Sequence, residues 1–172
     1  MDSTTKIIEL ASQNNGIVTA AMISSAGISR GSLKYLADTG RYKRGVFALD
    51  TALFLHDLTD RTPHKFHMAF PYGYNTSSPK AAGILCSCKK EPYYSLGIAL
   101  VDTPAGNTVR AYNAEKTLCE ILKPISHTDI QIITDAFKRY AGRKDKNIPL
   151  LSEYAHQLRV EKRLRPYLEV LL

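Results

Sequence analysis

The sequence contains no tryptophan, only three cysteines, and no apolar run approaching the roughly 18 residues of a membrane span. Each shortage excludes a class of protein. Cys86, Cys88 and Cys119 form an odd, sparse set, which speaks against a disulfide framework and for a reducing cytosol. The opening MDSTTKIIELASQNNG has neither the basic leader nor the apolar stretch of a signal peptide, so a cytoplasmic protein is expected. Acidic residues are also scarce: 16 Asp and Glu stand against 23 Lys and Arg, a net charge of +7. This excess favours a polyanionic partner such as DNA, RNA or an acidic membrane face, without choosing among them. The remainder, 44% hydrophobic and 23% charged over 172 residues, is the composition of a soluble globular protein: one domain, or a small one joined to a medium one. Internal repeats and low-complexity tracts are absent.

The N-terminal third reads as helices. In TTKIIELASQN, residues 4–14, Ile7, Ile8, Leu10 and Ala11 share one helix face, and Asn15-Gly16 stops it. Thr19 is a good N-cap for AAMISSA, and Gly27 supplies the positive φ of a tight turn. Ser29 caps a third helix, RGSLKYLADT, closed by Gly40. Helix, then helix–Gly turn–helix, is the spacing of a helix-turn-helix, and also of any small three-helix subdomain. Small polar and basic residues at the start of the third helix, with Asp38 its one acid, favour DNA. Leu33 and Leu36 face the core, leaving Arg30, Ser32, Lys34 and Tyr35 outside. In this reading the N–H groups opened by Ser29 meet a phosphate, and Arg30 and Ser32 reach base edges, Arg pairing bidentately with guanine. Lys34 and Tyr35 are phosphate contacts, and Thr19 touches the DNA backbone.

The rest is expected to be α+β, with strands first and a C-terminal helical bundle. Residues 41–50 form a linker or entry segment between a 1–40 DNA-binding domain and a 51–172 α+β domain. Asp50 is read as the cap of TALFLHDL. KFHMAF, ILCSC, SLGIALVDT and TVRAY are read as strands, the last two joined by a hairpin turn at residues 104–107. PYGYNTSSPKAAG reads as a loop. Helices follow: AEKTLCEILK capped by Asn113, TDIQIITDAFKRYA capped by Thr128 and closed by Gly142, and NIPLLSEYAHQLRV running into EKRLRPYLEVLL.

A second basic surface is read in this tail. Lys138, Arg139, Arg143, Lys144 and Lys146 cluster near one helix end; Arg159, Lys162, Arg163 and Arg165 occupy the last helices. Dipole capping and solvation explain part of it; a flank touching bent DNA or an RNA is the functional alternative. Other chemistry is poorly supported. His56-Asp57 with Asp60 lacks the preceding histidine of a metal phosphohydrolase, and a helix-end cluster of Asp57, Asp60 and Arg61 is the better reading. His64, His67, Cys86 and Cys88 lack zinc spacing, because the two histidines alternate across a strand. Cys119 reads as a small buried hydrophobe. Tyr72 and Tyr74 stack on a base or cover the sheet. No nucleophile–base–orienter set can be assembled, so no enzyme, metal or cofactor is expected.

The sequence resembles the AbiEi family, antitoxin regulators of type IV abortive-infection toxin–antitoxin systems. The resemblance is carried by GIVTAAMISSAGISRGSLKYLADTG, TALFLHDLTDRTPHKFHMAFPYGYNT, TPAGNTVRAYNAEKTLCEIL and the tail KRYAGRKDKNIPLLSEYAHQLRVEKRLRPYLEVLL. It implies an N-terminal winged helix that binds inverted repeats in the promoter of its own operon and represses it. It also implies phage defence, through a C-terminal domain that counters a nucleotidyltransferase-like toxin without a stable complex; no membrane partner is expected, for want of a long apolar run. A wing needs two paired strands and a turn, whereas the nine residues between Gly40 and Asp50 hold one strand, VFAL. Arg41-Tyr42-Lys43-Arg44 is therefore read as a domain-entry segment. Either this protein has lost the wing and first linker, or the sequence omits a loop, and such loops are where disorder concentrates. Two alternatives stand beside the repressor–antitoxin: a regulator without a toxin partner, and an enzyme acting on a nucleotide or on the toxin through its α+β domain.

Overall fold

A computed structural model describes residues 42, 44–103 and 108–171. The helix-turn-helix reading and its candidate contacts, Thr19, Ser29, Arg30, Ser32, Lys34 and Tyr35, lie outside these residues, as does the 104–107 turn. The described part is a five-stranded mixed sheet with helices, as the α+β reading expects. Strands β1 (Val46–Phe47), β2 (His67–Pro71), β3 (Leu85–Lys89), β4 (Ile98–Asp102) and β5 (Thr108–Tyr112) lie in the order β3-β2-β1-β5-β4. β1 runs antiparallel to β2 and parallel to β5; β2 and β3 are parallel, β4 and β5 antiparallel. β1 lies within the 41–50 segment read as a linker, yet it is the middle strand of the sheet. It can be so short because both its faces are covered: Val46 packs with Ala69 and Tyr112 on one side, Phe47 with Met68 and Phe70 on the other.

Two helices interrupt the strands. Helix α1 (Leu49–Leu55) starts one residue before the expected cap. Its N-cap is Ala48, without a side-chain bond, and Asp50 sits in the first turn, where a carboxylate favours the positive end of the helix dipole. The loop expected after Pro71 contains a one-turn helix, α2 (Ser77–Ala81). Helix α3 (Ala114–Ile121) is capped as expected, by the Asn113 side chain accepting from the Lys116 N–H. Helix α4 (Ile130–Ala141) is capped by Asp129 rather than Thr128: the Asp129 carboxylate accepts the Gln131 N–H at 2.7 Å, while the Thr128 hydroxyl turns to Ser126. Gly142 closes it.

The tail does not run on as one helix. Helix α5 (Ile148–Gln157) ends in a Schellman motif before α6 (Glu161–Leu171) begins: Val160 N–H reaches Ala155 O at 2.9 Å and Arg159 N–H reaches His156 O at 3.1 Å. The left-handed position that glycine usually fills belongs to Arg159, at φ 58. Leu118, Cys119, Ile133, Phe137, Leu151, Ala155, Val160 and Leu164 form the helical core, and Tyr167 stacks on Phe137 at 4.3 Å between ring centroids. Among the described residues no helix is long and apolar enough to cross a membrane.

Candidate nucleic-acid interface

The basic surface read in the tail divides into two parts. Near the end of α4, part of the charge is spent internally. Arg143 makes a bidentate pair with Asp145 at 2.6 and 2.8 Å, and also donates to the main-chain oxygen of His56 at 2.8 Å. That pairing holds the Asp145 carboxyl down at about 2. The Lys146 ammonium caps the Ala141 carbonyl at 2.8 Å, and Arg139 faces Asp60 at 3.4 Å in an exposed pair. Lys138 and Lys144 are exposed, with no ion pair among the described residues. At the α5–α6 junction, Arg159, Lys162, Arg163 and Arg165 are all exposed, and none is paired with a carboxylate among the described residues. The second group is therefore the better one for a polyanion.

Behind the second group lies a charge cluster that the sequence reading missed. AEKTLCEILK was read by its apolar residues, but Lys116 and Glu120 are also buried, at 0% and 2% exposure. Their side chains meet one helical turn apart, at 3.7 Å, and Lys89 from β3 reaches the same Glu120 oxygen at 2.5 Å. The Lys116 ammonium also donates to the main-chain oxygens of Tyr93 and, at 2.9 Å, Leu96, and lies 3.7 Å above the Tyr112 ring. Burial, only partly offset by Glu120, pulls its pKa down to about 8. Lys123, half-buried at the end of α3, is also held below its ordinary range by burial, against the pull of Glu120 and with repulsion from Lys89. The i, i+4 spacing of Lys116 and Glu120 is visible in the sequence, but it usually marks a solvated pair.

Gly97 lets the 93–97 turn close onto this helix. Its φ is +69, and a Cβ there would come within 2.9 Å of the Asn113 side-chain oxygen and 3.0 Å of Lys116 Cβ. Tyr94 completes the lock, donating from its hydroxyl to Arg44 O at 2.5 Å and accepting at its main-chain oxygen from the Tyr112 hydroxyl at 2.9 Å.

The remaining candidates fall to structural roles. His56 Nε2 lies 2.8 Å from Tyr112 O, and burial lowers its pKa. Asp57 takes the left-handed position after α1, and its N–H reaches Phe54 O at 3.1 Å. Arg61 meets Thr59 through its main-chain N–H at 3.2 Å. Cys86 pairs in register with Met68 and Leu85 with His67, so the Cys86 thiol and the His67 ring stand on opposite faces of the sheet. Tyr74 stacks on Phe70 at 4.7 Å and so covers the sheet, whereas Tyr72 stays 70% exposed under the Lys90 ammonium. Cys119 is buried as expected, its thiol pushed up to about 12 by burial.

Residues 6–48 match the model of a family described as "Transcriptional regulator, AbiEi antitoxin", the family that the sequence resembles. The matched segment contains every candidate DNA contact, spans the Gly40–Arg41 junction, and reaches into the described structure as far as β1. No curated protein matches the chain.

Proposed function

We propose that this protein is a sequence-specific DNA-binding repressor of its own operon and the antitoxin of a type IV abortive-infection pair, acting in the cytoplasm. One observation carries the reading: the match to an antitoxin–regulator family falls on residues 6–48, the stretch that holds Arg30, Ser32, Lys34 and Tyr35. A net charge of +7 supports a polyanionic partner. The helix opening at Ser29 enters the major groove of a promoter inverted repeat; Arg30 and Ser32 read bases, while Thr19, Lys34 and Tyr35 hold phosphates. The α+β domain counters a nucleotidyltransferase-like toxin by antagonism rather than by a stable complex or by turnover.

The test is a gel shift with the chain's own promoter. Retardation of that fragment, and not of a scrambled one of equal length, is expected at physiological salt. Equal retardation of both would leave only nonspecific charge and dismiss the repressor. Co-expression with a nucleotidyltransferase-like neighbour is expected to restore growth; unrelieved toxicity would dismiss the antitoxin.

A further inference from the structure

Beside the buried cluster, a recess of about 270 Å³ opens to solvent between Tyr93, Lys123, Gln157, Leu158 and Arg159. Its walls come from three separate pieces of the fold: the 93–97 turn, the end of α3, and the Schellman turn after α5. We propose that this recess binds one nucleotide unit, its phosphate between Lys123 and Arg159 and its base against the Tyr93 ring. The promoter reading concerns other residues, and the two stand or fall separately.

Three observations carry the proposal. The first is unbalanced charge. Lys89 and Lys116 share one oxygen of a single carboxylate, Glu120, and Lys123 also feels its charge. One negative charge does not balance three ammonium groups, so net positive charge remains beside the recess. A phosphate supplies the missing counter-charge. Lys123 and Arg159 are open to it, because neither makes an ion pair with any described residue. Burial holds the Lys123 ammonium below its ordinary range, and an anion in the recess would offset that penalty.

The second is Arg159 itself. It occupies the left-handed residue of the Schellman turn, at φ 58, where glycine would be free of strain. Its side chain makes no hydrogen bond or ion pair with another described residue. Non-glycine residues held in the left-handed region cluster at functional positions.

The third is an aromatic wall on a well-held turn. The Lys123 ammonium lies 5.9 Å from the centroid of the Tyr93 ring, which is 39% exposed. The main chain of this turn is held by Lys116 at Tyr93 O and Leu96 O, and by the Tyr94 and Tyr112 hydroxyls. A part-exposed ring on a main chain held in this way offers a stacking platform for a base, which an inorganic anion or an acidic side chain would not use. The volume is just below the usual range of about 300–1,000 Å³ for ligand pockets.

The nucleotide unit is either a free mononucleotide or part of a single strand, and titration distinguishes them. The full chain is titrated calorimetrically with AMP, GMP, CMP and UMP in turn, and by anisotropy with a labelled RNA hexanucleotide. Saturable binding of a mononucleotide at one site per chain supports the free ligand; binding of the hexanucleotide alone supports the strand. In either case Lys123→Met and Arg159→Gly are each expected to weaken binding about tenfold or more. Tyr93→Leu should weaken nucleotide binding while leaving inorganic phosphate binding unchanged. Arg159→Gly relieves the backbone strain, so it removes the guanidinium without threatening the fold. The proposal is overturned if none of these probes binds at up to about 10 mM, which is below the range of any useful affinity. It is equally overturned if the three variants bind like the parent, or if only duplex DNA binds and no mononucleotide or hexanucleotide competes with it.

Discussion

Lys116 and Glu120 face each other across one turn of α3 with 3.7 Å between charged atoms, both almost entirely withdrawn from solvent. The pair lies between sheet and helices because α3 packs on both sides: Leu118 and Cys119 enter the helical core, while the Lys116 ammonium lies over Tyr112 of the sheet. The cluster positions the 93–97 turn by hydrogen bonds to its carbonyls, and so shapes the recess beside it.

Removing one partner leaves buried charge uncompensated. Glu120→Ala is expected to destabilise the fold by about 3–5 kcal/mol, read as a lower urea midpoint at unchanged slope. Lys116→Met combined with Glu120→Ala should cost less than the sum of the single changes, since the two share one interaction. Strict additivity would show that the pair is not energetically coupled.

His56 makes stability depend on acidity. Burial, assisted by Arg143 and opposed by the Tyr112 carbonyl, Glu115 and Asp57, lowers its pKa from 6.5. The unfolded chain therefore takes up this proton first as pH falls, so the stabilisation present above 6.5 is lost below it. Half-buried His67 acts with the same sign. The urea midpoint is expected to fall between pH about 7 and about 5, and less steeply in His56→Gln. A midpoint that rises on acidification would contradict this.

The thiols should react in order of exposure. Cys88 is exposed and Cys86 half-buried with its pKa raised by burial; Cys119 is buried, its pKa pushed up to about 12. Only the thiolate attacks a disulfide reagent. Mass spectrometry after brief labelling should find Cys88 modified first, Cys86 later, and Cys119 only after denaturation. Early modification of Cys119 in the folded chain would mean that α3 does not pack as described.

On DNA, Arg30→Ala is expected to weaken promoter binding by about 1–3 kcal/mol and to relax one base position. Lys34→Ala should weaken all sequences alike and reduce the salt slope by about one. Gel shifts across a salt series measure both. Unchanged binding in Arg30→Ala would remove that helix as the reader.

Local chemistry made much of this protein legible in its sequence. Apolar or β-branched runs mark β2 to β5, but β2 does not alternate as a half-buried strand: it buries Met68, Ala69 and Phe70 in succession because both of its faces are covered. Asn113 caps α3 because a short side-chain acceptor next to a helical run meets the first free N–H groups without help from distant residues. The choice of Asp129 over Thr128 was not legible, since adjacent residues are both good caps and a contact with Ser126 decided between them. The break at Arg159 was hidden because an arginine occupies a position where glycine would have announced the turn.

The sequence alone determined that the chain is basic, poor in thiols, rich in amphipathic segments and α+β in order, because these follow from composition and short-range periodicity. Only the tertiary structure decided that a two-residue strand inside the supposed linker stands at the centre of the sheet, and that three charged residues of one helix, Glu115, Lys116 and Glu120, are buried. Those outcomes depend on which distant segments cover a residue. A hydrogen-bonding pattern within a few residues carries no record of that, so Lys116 and Glu120 look in sequence like any solvated pair.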